Sequence, residues 1–222
     1  MIEVEDLLVR YGSATALDRV SLSVAKGEMV ALVGANGAGK STLLNALSGV
    51  VPNVSGSMSI RGRFAHVPEG RQLFPDLTVE DNLRLGAFRG GDRDTSWVYE
   101  LMPELRRVKN QRGGSLSGGQ QQMVAIGRGL MSHPDVIAID EMSLGLAPKI
   151  VHTIARQLRA LNAERGLAVL LVEQGARLAL SLCKRAYVLE TGRVVAQGPC
   201  EDLMDSPFVV NAYLGSPLEE PA

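Results

Sequence analysis

Aromatic residues make up only 4% of this 222-residue chain, and its formal net charge is −1. A base-stacking platform and a broad cationic face are both missing, which argues against a nucleic-acid partner. Cysteine is scarce too. Cys183 and Cys200 have neither the spacing of a disulfide framework nor that of a metal site, and both are expected to be inert. No run of eighteen apolar residues occurs, so no segment is expected to span a bilayer. The first residues, Met1-Ile2-Glu3-Val4-Glu5-Asp6, alternate and are acidic, unlike a signal peptide. These absences point to a cytoplasmic protein with ample core for one large domain or two lobes, whose membrane role would come through a partner.

Glycine, by contrast, is gathered where chemistry can use it. Gly34-Ala35-Asn36-Gly37-Ala38-Gly39-Lys40-Ser41-Thr42 matches the G-x-x-x-x-G-K-[ST] phosphate-binding loop. The apolar run Glu28–Val33 ahead of it reads as a buried strand, and Leu43, Leu44, Ala46 and Leu47 behind it recur at helical spacing. Glycines let the backbone curl until successive N–H groups share one concavity, and the helix N-terminus adds its dipole. Lys40 would reach the β- and γ-phosphates, and the Ser41 hydroxyl would hold Mg²⁺.

The rest of the chain alternates strand and helix patterns. Ile2–Val9 and Ser21–Val24 alternate as half-buried strands, with a Gly12-Ser13 turn after Tyr11 and a Lys26-Gly27 turn before the loop strand. Tyr11 could stack on a purine or simply belong to the core. Ser55-Gly56-Ser57 is expected to introduce a strand at Met58–Arg61, followed by another at Phe64–Val67 and a loop from Pro68 to Pro75. Thr78 caps a helix through Leu85 that Gly90-Gly91-Asp92 breaks, and Ser96 caps a helix with a Val98, Leu101, Met102, Leu105 stripe. Pro148 opens a long helix, Leu167–Val172 forms a buried strand, and Tyr187–Gln197 forms a hairpin turning at Thr191-Gly192. Strands alternating with helices predict an α/β fold with a mostly parallel sheet.

Two further stretches carry chemistry. Leu116-Ser117-Gly118-Gly119-Gln120 precedes apolar residues at helical spacing (Met123, Val124, Ile126 and Leu130), so Ser117 and the glycines form a second anion-binding helix start. Asp135–Glu141 is a buried strand ending in two acids, where parallel sheets bind ligands. Asp140 suits Mg²⁺, and Glu141 suits orienting or deprotonating a water.

With these three motifs in this order, the chain resembles an ABC-type ATPase over nearly its whole length. Pro68-Glu69-Gly70-Arg71, Ser143–Pro148, Leu171-Val172-Glu173-Gln174 and Ala212-Tyr213-Leu214-Gly215 narrow the resemblance. It is to the shorter of the two ATP-binding subunits of branched-chain amino-acid importers, with the urea-type importer subunit second. The resemblance implies a P-loop NTPase fold with a small antiparallel β-subdomain. A helical subdomain over about 69–134 would be inserted in one ATPase domain spanning 1–222. It also implies a head-to-tail dimer, with itself or with a paralogous subunit, that sandwiches two ATPs with Mg²⁺. In the family pattern Tyr11 stacks on adenine, Ala16 lines that side, and Ser117 and Gly119 reach the γ-phosphate held by the opposite subunit. Glu141 is the catalytic carboxylate. Transmembrane permease subunits dock along Glu69 to about Leu85, on the inner face of the cell membrane, and a periplasmic solute receptor acts indirectly.

Glu69 stands where most relatives place a glutamine near Mg²⁺, Gln174 where a switch histidine is usual, and Ala147 where an aspartate is usual. Gln174 can hydrogen-bond a γ-phosphate but cannot titrate. The expectation is a slow ATPase that depends on its partners. The stretch Arg61–Ala65 is shorter than in relatives, which trims the lobe near adenine. Rival readings fit less well. A DNA-repair ABC ATPase would carry a coiled coil between loop and signature, and a GTPase would carry N-K-x-D; neither is present. A nucleotide-binding regulator that hydrolyses nothing stays open.

Overall fold

The alternation beginning at Ile2 becomes β1 (Ile2–Tyr11), and the Gly12-Ser13 turn returns the chain in β2 (Ala14–Val24). Burial passes from the even residues Ile2 and Val4 to the odd residues Leu7 and Val9. The slip falls at Asp6, whose φ is 48°, so one residue outside the extended region resets the strand's two faces. β4 (Val54–Ile60) completes a three-stranded sheet ordered β2-β1-β4. Ser55-Gly56-Ser57 therefore lies inside a strand rather than ahead of one. Gly56 has a φ of 94°, and a Cβ there would stand 2.4 Å from the Asp6 carbonyl oxygen. Close backbone approach, not a turn, demands glycine at that position.

The computed structural model describes residues 1–51, 54–88 and 92–209. The chain divides into two compact units, one of Met1–Ile2, Ser23–Glu28 and Ser59–Leu170, the other of Glu3–Leu22, Met29–Met58 and the chain from Leu171 onward. Gly90-Gly91 and Ala212-Tyr213-Leu214-Gly215 lie outside the described residues.

In the second unit, β3 (Met29–Val33) is buried at all five positions, as an apolar strand covered on both faces must be. It pairs in parallel with β8 (Arg185–Glu190), Val30 opposite Arg185 and Val33 opposite Val188. β8 runs antiparallel to β9 (Arg193–Pro199) through the expected Thr191-Gly192 turn. α1 (Lys40–Leu47) follows β3 through the glycine loop.

In the first unit, β5 (Phe64–Val67) pairs in parallel with β6 (Val136–Asp140), Phe64 opposite Val136. β7 (Ala168–Glu173) is next in strand order, and its residues divide between the units after Leu170. The helices here are α2 (Val79–Leu85), α3 (Ser96–Leu101), α4 (Pro103–Arg107), α5 (Gly118–Leu130) and α6 (Pro148–Arg165). Of the Val98, Leu101, Met102, Leu105 stripe, Leu101 is half-buried and the other three are buried, and the stripe runs over two helices with Met102 at their junction, because Pro103 cannot continue the first and starts the second. Ser96 is not the cap of α3. It is the first helical residue, and the Asp94 carboxylate accepts from its N–H at 3.0 Å. α2 ends at Gly86, where a Cβ would stand 1.9 Å from the Arg128 carbonyl oxygen, so α2 and α5 approach at backbone distance. Among the described residues no helix is long and apolar enough to cross a membrane.

One buried side chain ties α2 to the loop before it. Asn82 is fully buried; its Oδ1 accepts from the Phe74 N–H at 3.0 Å, and Nδ2 donates to the carbonyls of Phe74, Leu77 and Thr78. Asn82→Ala strands those backbone groups without partners, so it is expected to lower unfolding free energy by roughly 2–4 kcal/mol. Urea unfolding checks this: an unchanged midpoint would mean that the loop holds itself.

Candidate functional site

The glycine loop has the form its sequence demands. Gly37 and Gly39 have φ of 79° and 107°, and Gly39 caps α1 in the left-handed region. A Cβ on Gly39 would stand 2.7 Å from Leu17 Cδ2 and 2.9 Å from the Ala16 carbonyl oxygen. One on Gly34 would stand 2.3 Å from the Leu189 carbonyl oxygen. The loop is therefore pressed between the β2 segment and the β8–β9 hairpin. The Gly192 N–H donates to Ala38 O at 2.9 Å, and the Asp18 N–H donates to Gly192 O at 2.8 Å. Arg193 pairs with Asp18 and holds its carboxyl below the usual range. Sequence reasoning missed this clamp, since nothing local marks Asp18 or Arg193.

Lys40 is buried, and its ammonium donates back to Gly34 O at 2.9 Å and Ala35 O at 3.1 Å. The loop's own carbonyls thus orient the charge across the concavity. Asn36, Gly37 and Ser41 are exposed, Ala38 is buried, and Thr42 is half-buried. The structure places Ala16 beside the loop. Tyr11 is 51% exposed at the end of β1, and Gln174 is exposed just after β7.

In the first unit, Ser117 caps α5 in a reciprocal box. The Gln120 N–H donates to Ser117 Oγ at 3.4 Å, and the Ser117 N–H donates to Gln120 Oε1 at 3.0 Å. Ser117 is exposed, and a Cβ on Gly119 would stand 3.0 Å from Ile150 Cγ2, so α6 packs closely beneath this turn. A residue that sequence reasoning assigned no role organises the surroundings. Arg71 donates to Gln121 Oε1 at 3.1 Å, reaches Leu144 O at 3.5 Å, and lies against Gly118. Arg128 in turn donates to the carbonyls of Gln72 and Arg71. The two arginines join the loop bearing Glu69, the signature turn and the loop after Glu141 into one hydrogen-bonded group.

Asp140 ends β6 at 3% exposure, and Glu141 follows with a φ of 47°, a conformation costly for a non-glycine residue and concentrated at functional sites. Asp140 has other interactions within the protein, while its Oδ1 is buried and takes no hydrogen bond. Among the described residues no cluster of three or more His, Cys, Asp or Glu could hold a metal alone. Mg²⁺ takes one or two protein ligands together with phosphate oxygens and water, and the Asp140 Oδ1 without a hydrogen bond is the feature that fits it. Asp140 and Ser41 have the donor chemistry; Glu69 is exposed on its loop. Neither cysteine forms a disulfide, both are buried, and burial pushes the Cys200 thiol up to about 11, so it is inert at neutral pH.

Comparison with known proteins agrees with this fold. The ABC transporter family pattern matches residues 17–143. The chain is 46% identical to the high-affinity branched-chain amino acid transport ATP-binding protein BraG of Pseudomonas aeruginosa, across 97% of this chain and 100% of that one. It is 36% identical to the phosphonates import ATP-binding protein PhnC of Trichormus variabilis, across 96% and 98%. Among solved structures it is similar to an ATP-binding subunit of an ABC transporter, with a TM-score of 0.83 and 31% identity over 96% of each chain. It is also similar to the dimeric structure of a bacterial ABC transporter cassette, with a TM-score of 0.80 and 28% identity over 90% of this chain and 99% of that one.

Proposed function

We propose, because this chain belongs to the ABC transporter family as one of its ATP-binding, ATP-hydrolysing subunits, that it powers import of branched-chain amino acids through separate membrane subunits. The observation that carries the choice of solute is the likeness to BraG, which runs over 97% of this chain and 100% of that one. In this reading the chain is a single ATPase domain, with 69–134 as its inserted helical part. The N–H groups of Gly34–Thr42 and the Lys40 ammonium hold the β- and γ-phosphates, Tyr11 covers the adenine, and Ala16 lines that side. Ser41, Asp140 and Glu69 are the residues that would hold Mg²⁺, which when bound would neutralise charge on the phosphate oxygens. Glu141 orients the attacking water and takes its proton, and Gln174 donates a hydrogen bond to the γ-phosphate. Ser117, Gly118, Gly119 and Gln120 serve the nucleotide of a second ATPase subunit, and the exposure of Ser117 supports that role.

A groove in the first unit supports docking of a permease subunit there. It measures about 510 Å³ and is lined by Phe74, Leu85 and Phe88 beside Gly86 and Arg128. Phe88 is 81% exposed and Phe74 53%, which is costly for aromatic surface that meets no partner. His66 lines the same groove, and burial lowers its pKa, so it offers a neutral ring. An apolar-faced segment of a membrane subunit fits this groove. Membrane subunits are expected to stimulate ATP turnover of the wild type, and Phe88→Ser with Phe74→Ser to lose that stimulation while turnover alone is unchanged. Equal stimulation of both proteins would remove the groove from the coupling surface.

A further inference from the structure

A second concavity lies at the other end of β6 from Asp140, about 16 Å away for five extended residues. It encloses about 250 Å³, and its wall includes the residues that immediately precede three strands: Arg63 before β5, Asp135 before β6 and Leu167 before β7. Lys26, Trp97 and Arg165 join them. The cavity lies wholly within the first unit and shares no residue with the nucleotide machinery.

Three features restrict what it can hold. The first is charge. Among the described residues Lys26, Arg63 and Arg165 have no ion-pair partner, and the single acid on the wall, Asp135, already accepts the Arg63 N–H at 2.8 Å. The second is Trp97. Its indole N–H is buried with no acceptor, while its ring is occupied, stacked on His133 at 5.0 Å and under the Arg165 guanidinium at 5.2 Å. A buried donor of this kind calls for an acceptor, but the covered ring offers no platform for a nucleobase. The third is an apolar floor of buried Leu130, Leu161 and Leu167, which a bare inorganic anion would leave wet.

We propose that this cavity is a binding site for a small aliphatic carboxylate, with the carboxylate on the cations and the indole N–H and the short alkyl body on the leucines. A free amino acid and the corresponding 2-oxo acid share that chemistry. Its wall joins the start of α3, the end of α5 and the end of α6, so a bound ligand would fasten together the ends of three helices.

Trp97 is the only tryptophan in the chain, so indole fluorescence reads this cavity alone. The purified full chain is titrated with leucine, with 4-methyl-2-oxopentanoate and with inorganic phosphate. A saturable change with an aliphatic carboxylate and none with phosphate is the expected result, and the tighter of the two carboxylates identifies the source. Replacing two of the three cations, Lys26→Gln with Arg63→Gln, should weaken binding by about tenfold or more, with an unchanged thermal midpoint because both side chains are exposed. No saturable change with either carboxylate, an equal response to phosphate, or undiminished binding in the double variant would each overturn the proposal.

Discussion

Glu141→Gln should lower ATP turnover by about 10²–10³-fold while leaving nucleotide affinity close to that of the wild type. The substitution keeps the shape of the side chain and removes only its capacity to take a proton. The φ of 47° at Glu141 makes the position specific: the backbone is held in a conformation that turns this side chain away from the direction an extended strand would give it. Asp140, one residue earlier, is the last residue of a fully buried strand, a different setting from that of Glu141. In the proposed reading the pair divides into one carboxylate for the metal and one for the water. If closure around ATP is reversed by hydrolysis, the variant should also accumulate as an ATP-bound dimer. Phosphate release and equilibrium nucleotide binding separate the two effects. Turnover within about twofold of wild type would assign the proton transfer to another group.

Gly39→Ala acts one step earlier and should weaken nucleotide binding by about a hundredfold, because the strain and the clash add. The residue has a φ of 107°, and its Cβ would meet Leu17 and the Ala16 carbonyl oxygen below 3 Å. Ala16 O is backbone and cannot swing aside as a side-chain tip can. Accommodating the methyl must therefore move the cap of α1, and with it the N–H groups proposed to face the phosphates and the Lys40 ammonium now seated on Gly34 O and Ala35 O. Calorimetric titration with ATP measures the loss, and circular dichroism shows whether the fold survives. Unchanged affinity in a folded variant would mean that the loop tolerates another path or does not bind the nucleotide.

The parts legible in the sequence are those fixed by neighbours in the chain. β3, the glycine loop and α1 follow from one contiguous run, as do the Thr78 cap of α2 and the Ser117 cap of α5, since a capping side chain bonds a backbone N–H three residues on. The features that escaped depend on groups far away in sequence. Gly56 reads as a turn until Asp6, fifty residues earlier, is found against it. Arg71 sits in a stretch quoted only for family likeness, yet its partners Gln121 and Leu144 are 50 and 73 residues distant. The break of the predicted single helix at Met102 was the exception. Pro103 was a local signal, and the apolar stripe across it concealed the stop because both short helices bury the same face.

The most direct test of the central claim is uptake of labelled leucine into vesicles that contain the membrane subunits and the solute receptor, with this chain supplied as the only ATPase subunit or beside its paralogue. ATP-dependent leucine accumulation that exceeds urea accumulation, and that disappears with Glu141→Gln, is the result the account predicts. Leucine uptake indifferent to Glu141→Gln, or accumulation of urea in place of leucine, would contradict it.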